Sequence, residues 1–214
     1  MHLDISEIFF SLQGESTFSG LPCAFIRLFG CNLDCTWCDT VYARDKKETL
    51  SYDQIMARVA VFNTSLVEIT GGEPLIQPDT PALAARLIDQ GFQVLVETNG
   101  SLDISVLPRA CIRIMDIKCP SSNAQDPICW ANLDHLTQQD EIKFVVGTRT
   151  DYEFAHSVIT DRLQGINAKQ IHLSPVFGML DPADLAAWIL SDKLKARLSL
   201  QQHKLIWGPD KQGV

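Results

Sequence analysis

Three cysteines stand close together in the stretch Cys31-Asn-Leu-Asp-Cys35-Thr-Trp-Cys38-Asp39-Thr40. The spacing C-x-x-x-C-x-x-C lets a short irregular loop turn three thiolates towards one soft-metal centre. Three is one fewer than a closed zinc site or a fully ligated 4Fe–4S cluster requires. The position left open on such a centre is where a substrate or cofactor can bind. A structural zinc loop completed by a distant His or Cys is the plainer alternative, although zinc loops commonly pair two cysteines with a second, distant pair. A disulfide fits worse, because three neighbouring cysteines leave one unpaired.

Other groups with chemistry to offer lie in short motifs. Gly71-Gly72 lets the backbone approach a ligand closely, and Glu73, placed before Pro74, is held extended. Gln13-Gly14-Glu15 sets an amide and a carboxylate about a turn-forming glycine, and reads equally as a polar surface turn. Arg27 interrupts the apolar run 23–29, where a charge needs a structural partner or an anion to clamp. Lys118 is placed to meet a carboxylate or ribose hydroxyls, or to pair with Asp116. Thr40 reads either as a turn cap or as a hydroxyl ligand.

The composition, 46% apolar and 21% charged over 214 residues, is that of a globular chain long enough for one domain with a sizeable core. No apolar run is long enough to span a membrane, and the acidic N-terminus does not read as a signal peptide, so a cytoplasmic protein is expected. An odd count of seven cysteines favours metal ligation in a reducing compartment over a disulfide framework. Cys23, Cys111 and Cys119 are expected to pack as small apolar residues. A net charge of −8 argues against non-specific nucleic-acid binding and for a small-molecule substrate.

Strands are expected over 5–10, 23–29, 66–70, 93–97, 112–118, 141–146 and 170–174. Helices are expected from Ser51 to about 62, from Thr80 to Gly91, from about 150 to 163 and from Asp181 to about 194. A short helix opens at Asp126-Pro127, and the tail 198–207 reads as extended. The alternation predicts a parallel α/β sheet of about six strand–helix units with a thin helical layer. The cysteine loop, 70–73, 97–99, 116/118 and Ser174 then fall at the C-terminal ends of successive strands, the edge that carries chemistry in such sheets.

The cysteine spacing, Trp37 before the third cysteine and the Gly71-Gly72-Glu73-Pro74 motif together resemble the radical S-adenosylmethionine superfamily. The resemblance implies a single domain, 1–214, folded as a partial (β/α)6 TIM-like barrel. It implies a 4Fe–4S cluster on Cys31, Cys35 and Cys38, whose open iron takes the amino and carboxylate groups of S-adenosylmethionine. Trp37, Cys38, Asp39, Gly72, Glu73, Asp116, Ile117, Lys118, Ser174 and Pro175 are the implied cofactor contacts.

A finer resemblance is to the branch of that superfamily that forms 7-deazapurines in queuosine biosynthesis. It rests on Leu12-Gln13-Gly14-Glu15, Arg27, Cys38-Asp39-Thr40, residues 97–100, and residues 202–204 and 207–209. It implies radical ring contraction of 6-carboxy-5,6,7,8-tetrahydropterin with loss of ammonia, and Mg²⁺ on Thr40 and the substrate carboxylate. Arg27 would hold that carboxylate. Leu12, Gln13, Gly14, Glu15, Thr70 and Glu97 would meet the pterin, and His203 and Pro209 would close the pocket, although the chain continues past Pro209 to Val214. A homodimer and an electron donor such as flavodoxin are also implied. A glycyl-radical-enzyme activase shares the cysteine and Gly-Gly-Glu-Pro motifs, and an iron–sulfur electron-transfer module is the non-enzymatic alternative.

Overall fold

The apolar runs become neighbours in one nine-stranded sheet. A computed structural model describes residues 1–45, 47–124 and 128–214, apart from the side chain of Ala168. In chain order the elements are β1 (His2–Leu12), β2 (Pro22–Leu28), β3 (Glu48–Ser51), α1 (Tyr52–Ala60), β4 (Leu66–Gly71), α2 (Thr80–Asp89) and β5 (Gln93–Thr98). They continue with β6 (Ile112–Asp116), β7 (Glu141–Val146), α3 (Arg149–Arg162), β8 (Ile171–Pro175), α4 (Pro182–Ser191), β9 (Arg197–Leu198) and α5 (Gln202–Trp207).

The strand order is β3-β1-β2-β4-β5-β6-β7-β8-β9. β1 pairs antiparallel with β2 and β3, and from β2 onward all neighbours are parallel. The sheet is open, with β3 and β9 at its edges. It is also curved, because Phe9 of β1 and Ser199 beyond β9 line one cavity. The parallel α/β sheet is therefore as expected, and β3 is an element that the apolar pattern does not announce. Among the described residues, the β5–β6 and β6–β7 connections carry only 3₁₀ turns, so the helical layer is thin there. The helix expected at Asp126-Pro127 lies outside the described residues.

Capping chemistry sets most helix starts. Ser51 and Gln54 form a reciprocal capping box on α1, Thr148 and Asp151 do the same on α3, and Asp181 caps α4 ahead of Pro182. Thr80 is a departure. Asp79 occupies the cap position of α2 without a side-chain bond, and the Thr80 hydroxyl instead donates to the Pro74 carbonyl at 2.6 Å. The tail is another departure: residues 202–207 are helical, not extended. The Gln202 N–H, at the start of that helix, donates to the Gly14 carbonyl at 2.9 Å and so docks α5 on the N-terminal loop.

Helices cover the outer face of the parallel strands, and the outward side chains of those strands form the main cores. Val67 and Ile69 of β4 face outward into the core beneath α1 and α2, with Ile55, Leu83 and Leu87. Phe144 and Leu173 pack under α3 and α4 against Tyr152, Ala155 and Leu185. Each such side chain contributes roughly 1.5–3 kcal/mol on burial. On the concave face Cys23, Phe25, Leu66, Leu95, Ile112 and Ile114 make an apolar floor. Cys23, Cys111 and Cys119 are buried, as expected of packing residues.

One buried ion pair ties β6 to the turn before β7. Asp140 accepts from the Arg113 backbone N–H at 2.7 Å, from its guanidinium at 3.3 Å and from the Thr137 N–H and hydroxyl. The two charged side chains are 3% and 0% exposed. Asp140→Ala is expected to cost about 3–5 kcal/mol, because it leaves an unpaired guanidinium in the interior. Denaturant unfolding should register this as a lower midpoint at an unchanged slope.

Candidate active site

The cysteine loop leaves β2 at Gly30, whose φ of +93° is a backbone region that glycine occupies without strain. The Gly30 carbonyl accepts the Glu73 N–H at 3.0 Å, which sets the loop directly over the end of β4. Gly72 is required at this crossing, since a Cβ there would collide with the Gly30 carbonyl oxygen and with Cys31 Cβ. The far side of the loop is tied to the segment after β6, where the Thr36 N–H donates to the Ser122 carbonyl at 3.0 Å. Arg44 holds its tip through the Leu33 carbonyl at 2.5 Å and Asp34 at 3.0 Å.

Cys31, Cys35 and Cys38 are free, half-buried thiols that line one cavity of about 570 Å³. That size lies within the usual range of small-molecule sites, ~300–1,000 Å³. Among the described residues no three His, Cys, Asp or Glu side chains close on a single ion. A 4Fe–4S cluster instead offers separate iron corners, and three thiolates along one wall fit it with one corner left for a ligand. The Leu33 N–H already points at Cys31 Sγ, 3.4 Å away, as a donor to a thiolate would. Burial pushes the Cys35 thiol up, against the pull of Lys118.

Most of the expected site residues meet in this cavity. Leu12, Gln13, Gly14, Glu15, Arg27, Trp37, Asp39, Thr40, Thr70, Gly72, Glu97, Asp116, Lys118, His203 and Pro209 all line it. Arg27 donates through Nε to Glu7 at 2.7 Å, and its charge lies 5.6 Å from the centre of the Phe9 ring. Among the described residues its terminal nitrogens make no hydrogen bond, so the structural partner and the open clamp coexist on one side chain. Thr40 precedes a 3₁₀ turn at Val41–Arg44 but does not cap it with its hydroxyl, which stands 3.7 Å from Cys38 Sγ.

Four expected residues do not reach the cavity. Ile117 and Ser174 are buried, and the Ser174 hydroxyl donates to the Ser199 carbonyl at 2.6 Å; Pro175 follows it in β8. Glu73 is wholly buried, and its carboxylate accepts from the Leu75 N–H at 3.0 Å, the Thr98 hydroxyl at 2.9 Å and the Asn99 N–H at 2.7 Å. Burial pushes its carboxyl up despite these donors. The side chain braces the end of β5 and gives the cavity only its neighbouring backbone.

The inner wall carries charges that motif reading passes over. Lys143 of β7 sits between Glu15 at 2.5 Å and Glu97 at 2.9 Å. Although burial pushes the Glu97 carboxyl up, Lys143 more than offsets it and holds the group ionised. Gln201 also holds Glu15, at 2.8 Å, and Lys204 holds Asp39 at 2.9 Å. Burial works against the Asp39 carboxylate, yet Lys204, Lys143 and Arg27 together keep it well below the usual range. Glu68 of β4 takes the Gln13 amide at 2.5 Å. Gly14 lets His203 approach, since a Cβ there would strike its Nδ1, and burial holds the His203 imidazole towards its neutral form.

An open parallel sheet whose C-terminal edge presents three loop cysteines is the framework of a radical S-adenosylmethionine enzyme, and residues 25–119 match the Radical SAM superfamily. The chain is 42% identical to a 7-carboxy-7-deazaguanine synthase of Koribacter versatilis, over 99% of this chain and 100% of that protein. It is 45% identical to another from Chlorobaculum tepidum, over 99% and 97%. The crystal structure of QueE from Escherichia coli superposes with a TM-score of 0.77 at 26% identity, covering 95% of each chain. The chain belongs to the 7-carboxy-7-deazaguanine synthase family.

A Gly72→Ala protein should fold but assemble little cluster, because the added methyl group forces Gly30 and Cys31 away from the end of β4. The iron and sulfide content after anaerobic reconstitution, measured beside a melting curve, checks this.

Proposed function

We propose that the whole chain, residues 1–214, acts as one radical S-adenosylmethionine domain. It converts 6-carboxy-5,6,7,8-tetrahydropterin to 7-carboxy-7-deazaguanine and ammonia by ring contraction. One observation carries this reading: Arg27, Thr40 and the three cysteines share a cavity whose inner wall carries Glu15, Thr70 and Glu97. A cation and a candidate metal ligand therefore stand beside the radical source, and carboxylates stand deeper in.

Cys31, Cys35 and Cys38 would hold the cluster, which together with S-adenosylmethionine would supply radical chemistry to the cavity. Trp37, Asp39, Gly72, Asp116 and Lys118 form the wall that faces the cofactor, while Glu73, Ile117, Ser174 and Pro175 support it from behind. Arg27 orients the substrate carboxylate with its free guanidinium nitrogens. The Thr40 hydroxyl, in weak contact with the Cys38 sulfur at 3.7 Å, is a suitable weak ligand for Mg²⁺ completed by water and substrate. Ionised Glu97, with Thr70 and Glu15, accepts from the N–H edge of the pterin. His203 and Pro209 close the cavity against water. Seven free cysteines suit a reducing, cytoplasmic setting, and the small cavity and a net charge of −8 suit a small substrate without direct nucleic-acid contact. Among the described residues no helix is long and apolar enough to cross a membrane. A flavodoxin-type electron donor and a homodimer complete the reading.

The test is anaerobic reconstitution followed by turnover of the tetrahydropterin with and without Mg²⁺. Product that requires S-adenosylmethionine and a reductant, and forms faster with Mg²⁺, is the expected outcome. No product under any reducing condition would sink the assignment, and indifference to Mg²⁺ would remove the metal role from Thr40.

A further inference from the structure

Along β2 and β4 the cavity wall is built in tiers. Arg27 and Thr70 lie opposite each other at the upper tier, and Phe25 and Glu68 lie opposite each other two residues deeper. Two residues along a strand span about 7 Å. The lower tier continues sideways as Leu95 and Ile112, which belong with Phe25 to the apolar floor. Phe9 and Phe25, stacked with ring centres 4.8 Å apart, both line the cavity, as does Ile114. Glu68 is thus the one polar side chain of its tier in β2, β4, β5 and β6, set beside a flat aromatic surface and 2% exposed.

Its two oxygens are not equivalent. Gln13 Oε1 accepts the Glu15 N–H at 2.5 Å, which fixes the amide so that Nε2 donates to Glu68 Oε2 at 2.5 Å. Oε2 is therefore an acceptor. Oε1 has no protein partner among the described residues, and it is not sealed from the cavity. The nearby charges are Glu15 and Glu97, with Lys143 already held between those two. A third carboxylate there has no cation of its own, and an apolar tier disfavours an unpaired charge. We propose that Glu68 is a further substrate-contacting residue: its Oε1 hydroxyl donates to the lactam oxygen of the substrate's pyrimidine ring and selects an oxo over an amino group at that position. This rests on the pterin reading given above. In support, burial, with Glu97 and Glu15 nearby, pushes the Glu68 carboxyl up to about 8.

The test uses two stable fluorescent probes, pterin-6-carboxylate and 2,4-diaminopteridine-6-carboxylate, which differ at that ring position. Binding to the reconstituted protein is measured for wild type, Glu68→Gln and Glu68→Val, with melting curves as the folding control. Wild type should favour the oxo compound by at least about tenfold. Glu68→Gln keeps a donor in place of the hydroxyl and should retain that preference within about threefold. Glu68→Val should bind the oxo compound about 10–100-fold more weakly and lose the preference. Equal wild-type affinity for the two probes would overturn the proposal whether or not the valine variant folds. So would a valine variant that keeps the preference, or a glutamine variant that loses it as the valine variant does. Turnover of the tetrahydropterin by wild type is run alongside. Activity together with a failed preference removes the Glu68 role alone, whereas no turnover removes the functional reading and the Glu68 role with it.

Discussion

A Cys35→Ala protein should fold, stay colourless after anaerobic reconstitution with iron and sulfide, and turn over at least about 10⁴-fold more slowly than wild type. The size of the loss follows from what the cluster supplies, since enzymatic acceleration is typically 10⁶-fold or more and the remaining side chains contain no redox centre to replace it. The fold should be nearly untouched. Cys35 is half-buried, and of the loop's anchors only its backbone carbonyl takes part, accepting the Cys38 N–H at 3.3 Å. The anchors at Gly30, Thr36 and Arg44 all survive the substitution. A melting temperature close to wild type, combined with lost absorbance and lost turnover, is the signature to seek. Full activity in this variant would refute radical chemistry at the loop.

Lys143→Met should be the most damaging substitution on the inner wall. It strands Glu15 and Glu97, which the ammonium separates at 2.5 and 2.9 Å, beside Glu68. Breaking such a buried pair costs about 3–5 kcal/mol. The pH dependence has a definite sign. Burial works to lower the Lys143 pKa, but Glu15 and Glu97 raise it well above its ordinary value of 10.5. Glu97 is held below its ordinary value of 4.5. The pair therefore contributes its full stability between about pH 4.5 and 10.5, loses it as pH falls through the depressed carboxylate pKa, and loses it again through the raised lysine pKa. In the variant the Glu97 carboxyl, no longer held down by the ammonium, protonates more readily. The stability gap to wild type should be widest near neutral pH and narrow towards pH 4. Turnover should fall by about 100-fold or more, because Glu97 would lose both its orientation and its ionisation. Paired denaturation curves at pH 7 and pH 4.5 would decide this, and a gap that widened in acid would contradict the assigned pairing.

Much of the site is legible because the cysteine loop and the strand ends are local features. Spacing alone brings Cys31, Cys35 and Cys38 onto one loop, and its place at the end of an apolar run puts Thr70 at the strand edge that bears chemistry. Arg27 stands out because a charge interrupts an apolar run. Glu68, Lys143 and His172 carry the same mark, yet the mark cannot say which charge pairs and which faces a cavity. That depends on register, which sets Lys143 between Asp116 and His172 on neighbouring strands, and on the sheet curvature that delivers Glu15 to it. Glu73 is legible only in part for a related reason. Its motif raises the expectation of a cofactor contact, and what the motif does not announce is that the chain at Asn99 folds over it and donates to the carboxylate. The tail misleads because Leu205, Ile206 and Trp207 look like a strand in isolation. The docking partner that makes them helical, Gly14, lies at the other end of the chain.

That docking also orders events during synthesis. Gln201 and Glu15 are 186 residues apart. At ~5–20 residues per second, roughly 10–40 s pass between making the one and making the other. The three thiols are translated early in that interval. While the chain grows they remain reachable to an iron–sulfur carrier, and equally to oxidants, in a cavity still missing the wall that α5 provides. The helix thus marks the point in the life of each molecule when the cavity beside its reactive loop gains its last wall, with Lys204 fixed to Asp39.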